Sequence, residues 1–331
     1  MAARRDWRDL VELGHPCQGS SAPASAKVAE DTRAPMPAEP RPATTEAAAI
    51  DNVIVPLDGS DGSRTALPIG RALAQLYGAT LHVTYIEPDP GETHPRQTLQ
   101  DLGLESGEHR GVVMDHLRGD VPAAILNSAR QLPAALLVMC SHSGAHSDTG
   151  LGPIADAVLS GTPERIVLVL PEYASQDWQL RRILLAHDGT RSADVAIAPT
   201  ADLAHRSGAE VLALHVGARS CAEPEEPGSL PAPRYVDQPH HEWPAWTSEF
   251  LDRMMGVGAS PGRVNFKLLV TGGQPGSEIA EFTRDNAVSL LVLAWRGRWE
   301  EERSETLKVI IRRSSCPVLL VYAAGEKEEG D

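Results

Sequence analysis

The constraint that decides most about this chain is that it is written twice. Val53–Leu57 returns without a gap as Ile183–His187, and the turn Asp58-Gly59-Ser60 returns as Asp188-Gly189-Thr190. The same spacing carries Leu73-Ala74 onto Leu203-Ala204, Gly78-Ala79 onto Gly208-Ala209, and Tyr85-Ile86 onto His215-Val216. An ungapped match of about 35 residues that keeps its turn chemistry is an internal repeat, so whatever one half folds into, the other must fold into too.

The unit itself is legible. Val53–Leu57 is a short apolar run closed by a polar turn. Ala66, Leu67, Ile69, Ala72, Leu73 and Leu76 follow at helical spacing, Gly78 is a natural helix stop, and Leu81–Ile86 is a second strand-like run. Strand, turn, helix and strand in that order open a parallel sheet. Later pieces also match at a wider spacing: Gly119-Asp120 with Gly273-Gln274, Ile125 with Ile279, and Ala135–Cys140 with Ser289–Ala294. Each half then closes on another apolar run, Ile166–Leu170 and Val318–Tyr322. The wider spacing reflects an insert in the second half, residues 218–262, whose six prolines (Pro224, Pro227, Pro231, Pro233, Pro239, Pro244) demand loop. Five near-continuous apolar strands alternating with helices predict an α/β fold: two tandem doubly wound five-stranded parallel-sheet α/β/α sandwiches. The helix between the second and third strands of the first half is weakly patterned, because Asp89–Gly107 lacks periodicity.

Around these halves, residues 1–50 are rich in Ala, Pro, Ser, Thr and Glu. Between Ser20 and Ala49 only Val28 and Met36 are large and apolar, which predicts a disordered tail. The expected limits are 51–172 for the first domain, 180–323 for the second and 324–331 for an acidic C-terminal tail. Composition enters by exclusion. A formal charge of −15 argues against nucleic-acid binding, which needs a cationic surface. No apolar stretch approaches the ~18 residues of a membrane span, and the arginines at positions 4, 5 and 8 have no apolar core behind them, so a cytosolic protein is expected. The four cysteines are scattered and form no CxxC, which leaves zinc and redox pairs unsupported. His142 with His146, and His240 with His241, read as solvated histidines rather than metal ligands. No Walker loop, GxSxG elbow or HExxH occurs, so no catalytic residue is assigned.

Val53-Ile-Val-Pro-Leu-Asp-Gly-Ser60, the Gly119-Asp-Val-Pro122 turn, Leu137-Val-Met-Cys-Ser-His142 and Leu151-Gly-Pro-Ile-Ala-Asp156 resemble the universal stress protein (UspA-type) domain. Ile183–Thr190, Gly273-Gln-Pro275, Leu291–Ala294 and Ser315-Cys-Pro-Val-Leu-Leu-Val321 resemble it again. The resemblance implies a tandem member with Rossmann-like sheets ordered 3-2-1-4-5. Some members of that family bind ATP; others lack the nucleotide motif and act mainly as dimers.

The ATP-binding members carry G-x2-G-x9-G-(S/T) after the fourth strand, where glycines let backbone N–H groups reach the phosphates and a helix N-terminus adds a favourable field. In the first half the corresponding stretch runs from Cys140-Ser-His-Ser143 to Gly152-Pro153. Both leading glycines are replaced, the spacing is one short, and proline stands for the hydroxyl residue. Gly144, Gly150 and Gly152 keep the loop supple, and Ser141 and Ser143 could donate to an anion. In the second half the loop is Ala294-Trp-Arg-Gly297 followed by Glu300–Glu302, shorter still, with three carboxylates only partly offset by Arg296, Arg298 and Arg303, and with Trp295 and Trp299 large enough to fill a pocket. The resemblance therefore implies, for ATP in the first domain, a site of Asp58, Gly59, Ser60, Ile86, Ser141, Ser143, Gly144, Gly150 and Gly152. The degenerate counterpart is Asp188, Gly189, Thr190, Val216 and Gly297. It puts the aspartate near the adenine–ribose end and Ile86 or Val216 against adenine. Each has a plain structural reading beside it: helix capping for the aspartates, core packing for Ile86 and Val216.

Three functions stay open on this evidence: a stress-response binding or regulatory protein, an ATP-hydrolysing or nucleotidyl-transferring enzyme, and a scaffold recruiting an unknown protein partner. The fifth strands, Ile166–Leu170 and Val318–Tyr322, are apolar and free of Pro and Lys, so each invites pairing. Single-domain relatives pair these strands across a two-fold axis. The resemblance implies the same pairing within this chain, and homodimers of whole chains beyond it.

Overall fold

In the computed structural model the first repeat begins with β1 (Asn52–Leu57), a one-turn helix α1 (Asp61–Arg64), α2 (Ala66–Tyr77) and β2 (Thr80–Glu87). It continues through β3 (Val112–Arg118), α3 (Val121–Gln131), β4 (Ala135–Cys140), α4 (Pro153–Ser160) and β5 (Arg165–Val169). The second repeat runs β6 (Arg182–Ala186), a 3-10 helix (Arg191–Ala196), α5 (Ile197–Ser207), β7 (Glu210–Gly217), β8 (Phe266–Gly272), α6 (Pro275–Asp285), β9 (Leu290–Trp295), α7 (Glu302–Arg313) and β10 (Val318–Tyr322). The structure describes residues 50–58, 60–87, 111–142, 150–161, 165–169, 177–217, 264, 266–297 and 302–323. Residues 1–49 of the expected N-terminal tail, the insert 218–262, the C-terminal tail, the weak helix of Asp89–Gly107, and Gly59, Ser143, Gly144, Leu170 and Trp299 lie outside the described residues, whereas Ile50, expected to end the tail, is buried in the core.

Each half has the strand order the resemblance implies, and the two halves form one ten-stranded sheet: β3-β2-β1-β4-β5-β10-β9-β6-β7-β8. Within a half all pairs are parallel. At the seam β5 and β10 run antiparallel, with Leu168 opposite Val318 and Ile166 opposite Leu320.

Alternation along the strands sends side chains to two apolar layers, and each layer is continuous across the seam. One holds Val53, Val55, Val138, Val167, Leu185, Val292 and Leu319 under α2 and α5. The other holds Ile54, Leu137, Leu168, Leu184, Leu291, Val318 and Leu320 under α3, α4, α6 and α7. Helices α2 and α5 meet on the first face: the Arg206 guanidinium lies 4.6 Å from the Tyr77 ring centroid, and Arg206 is itself held by Asp202 at 3.0 Å. Burial, reinforced by the Asp202 charge, pushes the Tyr77 phenol well above its ordinary range, so it stays a donor.

Both α2 and α5 end on a left-handed glycine, Gly78 at φ 66° and Gly208 at φ 70°, as the repeat predicts. Inside α2, Gly70 has a different reason. A Cβ there would sit 2.4 Å from Cγ2 of Val55, which is fully buried in β1. Gly70→Ala should gain up to about 1 kcal/mol of helix propensity but cost about 1–3 kcal/mol in overpacking. We expect a net loss near 1 kcal/mol, read as a lower urea midpoint; a raised midpoint would show that Val55 yields freely.

Candidate functional site

The carboxyl ends of β1 and β4, and of β6 and β9, are where a doubly wound sheet presents its ligand crevice. In the first half Asp58 stands exposed at the end of β1. Its Oδ1 accepts the Ser60 N–H at 2.9 Å and the Ser60 hydroxyl at 2.6 Å. Ser60 in turn caps α1, its Oγ accepting the Ser63 N–H at 3.1 Å. The aspartate thus orders the turn and the serine caps the helix, one step later than the capping reading placed it. Partial burial raises the Asp58 carboxyl, but the hydrogen bonds from Ser60 and Ser63 outweigh it and hold the group below its ordinary range.

Asp188 does the same in the second half, taking the Thr190 N–H at 3.0 Å and its hydroxyl at 2.6 Å. There the likeness ends. The Thr190 hydroxyl lies 3.1 Å from Ser192 Oγ, and Ser192 Oγ accepts from Arg296 Nη2 at 2.7 Å, so the loop after β6 is tied to the loop after β9. Buried His187 accepts the Gly189 N–H on Nδ1 at 3.0 Å, so its proton is on Nε2 and points to Asp194 Oδ1 at 3.1 Å. Trp295 is buried at the end of β9. Behind this, His215 donates from Nδ1 to the His187 carbonyl at 3.0 Å, and burial pushes its imidazole down, which keeps it neutral. Side chains of the second half thus tie together the loops that flank its crevice.

None of those contacts can be built in the first half. Leu57, Gly62, Arg64 and His142 stand where His187, Ser192, Asp194 and Arg296 stand in the second, and glycine has no hydroxyl to accept from the facing loop. The phosphate end of the first crevice is poorly equipped, however. Fully buried Ser141 uses its backbone to hold the chain: its N–H donates to Val169 O and its carbonyl accepts the Gly152 N–H, both at 2.8 Å. Pro153, next in line, has no N–H to offer. Gly150 has φ 82°, and a Cβ there would meet Arg312 Cγ at 2.8 Å, so this glycine lets α7 of the second half approach. Asp156, in the first turn of α4, has Oδ1 buried with no hydrogen-bond partner among the described residues, and burial pushes its carboxyl up. The described residues therefore offer few backbone donors to an anion at this end of the crevice.

Ile86 is 4% exposed within the α3–α4 layer, as core packing requires, whereas Val216 is only partly buried against the same layer. Gly189 and Gly297 both take positive φ, 84° and 78°. Arg296, which the sequence offers as a counter-charge to Glu300–Glu302, donates to Ser192. That contact spans more than a hundred residues and has no local signature. Among the described residues no group of His, Cys, Asp and Glu could hold a metal, and no helix is long and apolar enough to cross a membrane.

Two Rossmann-like halves fused edge to edge, each with an Asp-Gly-Ser/Thr turn after its first strand, define a tandem doubly wound α/β protein. The chain belongs to the universal stress protein family, whose model matches residues 49–169 and again residues 179–322. Among solved structures it is similar to a Pseudomonas aeruginosa PAO1 protein of unknown function, at 15% identity and a TM-score of 0.58, over 84% of this chain and 94% of that one. It is likewise similar to a universal stress protein from Archaeoglobus fulgidus DSM 4304, at 14% identity and a TM-score of 0.57, over 83% of this chain and 99% of that one. At such identities the likeness is one of fold. A search of curated proteins gave no match.

Proposed function

We propose that this chain is a non-catalytic, cytoplasmic universal stress protein whose ligand capacity resides in the first domain alone, as weak binding of an adenine nucleotide. The second domain serves to complete the sheet. One observation carries this reading: the Arg296–Ser192 and His187–Asp194 contacts tie down the loops around the second crevice, and the first domain lacks the residues to make them. The weakness follows from the amide donors lost at Gly152 and Pro153 and from the Asp156 carboxyl beside them. No residue is given a catalytic role.

Titration calorimetry with ATP and with AMP tests it. Asp58→Ala should weaken binding about tenfold, the weight of a hydrogen bond to a charged group, and Asp188→Ala should leave it unchanged. ATP should bind no more than a few-fold better than AMP. Binding that survives Asp58→Ala and disappears with Asp188→Ala would reverse the assignment. No binding of either nucleotide at millimolar concentration would refute a nucleotide function.

A further inference from the structure

The outer three strands of each half are pinned together on the same sheet face, near their amino-terminal ends, by side chains of different chemistry. In the second half the pin is ionic. Glu210 of β7 takes Arg182 of β6 on Oε2 and Lys267 of β8 on Oε1, both at 2.9 Å. Arg182 also donates to the Asn286 carbonyl, in the turn between α6 and β9. The Lys267 ammonium, with Arg182 beside it and against the opposing effect of burial, holds the Glu210 carboxyl below its ordinary range. Such a group contributes stability above the carboxylate range and loses it only as pH falls through that range.

In the first half the corresponding pin runs through a histidine. His82 of β2, 9% exposed, sits with Nε2 3.0 Å from Asn52 Oδ1 on β1 and Nδ1 3.0 Å from Asp115 Oδ2 on β3. Asn52 Nδ2 donates to the Pro133 carbonyl at 2.8 Å, in the turn between α3 and β4, just as Arg182 does in its half. That bond fixes the amide: turned over, Oδ1 would face the Pro133 oxygen. Both partners of the imidazole are therefore acceptors. A neutral ring has one N–H and can satisfy one of them; only the imidazolium satisfies both.

Among the described residues, the elements packed on this face add no competing charge. Strands β1 and β4 carry no Asp, Glu, His, Lys or Arg. Helix α3, packed over this face, has Arg130 alone, and its guanidinium is turned to the Gly161 carbonyl at 3.4 Å. On β3, His116 lies with Tyr85 on the opposite face and Arg118 at the far end.

We propose that Asn52, His82 and Asp115 form a proton-dependent clasp on the outer strand β3 of the first domain. It is closed when His82 carries both protons and half open when it carries one, while the ionic pin on β8 is indifferent to pH in the same range. Protonation of the ring tightens the first domain's edge, and loss of one proton loosens it.

Hydrogen exchange on the full chain, corrected for intrinsic rates, reads this directly. Between about pH 5.5 and 8.5 the protection of β3 amides should fall about fivefold, the weight of one hydrogen bond, while β8 amides keep theirs. His82→Leu should abolish the pH dependence. Leu212 occupies the same rung of β7 at similar burial, so leucine is tolerated in this setting. Asp115→Asn, a milder change, should also abolish it, and nitrogen-15 shifts of His82 should show both ring N–H groups in acid. Flat protection of β3 in the native chain, an equal fall in β8, or an undiminished fall in His82→Leu would each overturn the proposal.

Discussion

Leu168→Pro is expected to destroy the cooperative fold of the chain. Leu168 lies in β5 with strands on both sides, Met139 of β4 and Val318 of β10 being its partners, and its side chain is fully buried. Proline removes a ladder donor from an interior strand, at about 3 kcal/mol or more, and vacates most of the space that leucine fills, which adds about 2 kcal/mol or more. Against a whole-chain stability of ~5–15 kcal/mol the sum is decisive. Urea unfolding should lose its sigmoidal transition, and limited proteolysis should cleave within the halves. Leu168→Ala, which keeps the N–H, should retain the transition at a lower midpoint, with stability reduced by about 2–5 kcal/mol. An unaltered midpoint in the proline variant would mean that the two edges are not joined in solution.

Phe282→Ala should be nearly as costly. Phe282, 1% exposed on α6, packs in the layer that runs beneath α3, α4, α6 and α7, and truncating such a ring costs about 3–5 kcal/mol. Because that layer takes in residues of both halves, the loss should lower one shared transition rather than melt the second half alone. Calorimetry distinguishes the cases: two resolved peaks, the first-half peak unmoved, would show that the halves unfold independently.

The parts of this fold that periodicity records were legible in the sequence. Val53–Leu57 and Ile183–His187 announced their strands because burial on both faces leaves a continuous apolar run, and Gly78 and Gly208 marked helix ends because a left-handed cap favours glycine. The repeat itself made the second reading a check on the first. It hid a difference, though: after Asp188 the chain takes a 3-10 turn where the first half has α1, and that turn brings Ser192 and Asp194 towards their partners. Contacts between residues far apart leave no period behind them. Arg296 on Ser192, Gly150 against Arg312 and the His82 clasp were therefore silent in the sequence. Gly150 shows how such a contact hides: in a glycine-rich loop the sequence suggests a phosphate contact, and nothing local announces that its lack of a side chain also accommodates α7. Asp58 and Asp188 were found correctly at the strand ends, but the turn they close comes one step before the helix cap.

The antiparallel seam between β5 and β10 joins two parts of a single polypeptide, and that changes what dilution can do. Separate subunits meeting along the same edge would come apart as their concentration fell. Here each edge sees the other at an effective concentration set by a short tether, on the order of millimolar, however dilute the protein. The fusion also favours the other half over a copy as the partner at protein concentrations below that value. A substitution on one side of the seam is not confronted with itself, so nothing compels the two halves to stay alike. His187, Asp194 and Arg296 can tie the loops of one half together while Leu57, Arg64 and His142 stand in their places in the other, and both halves still share one sheet.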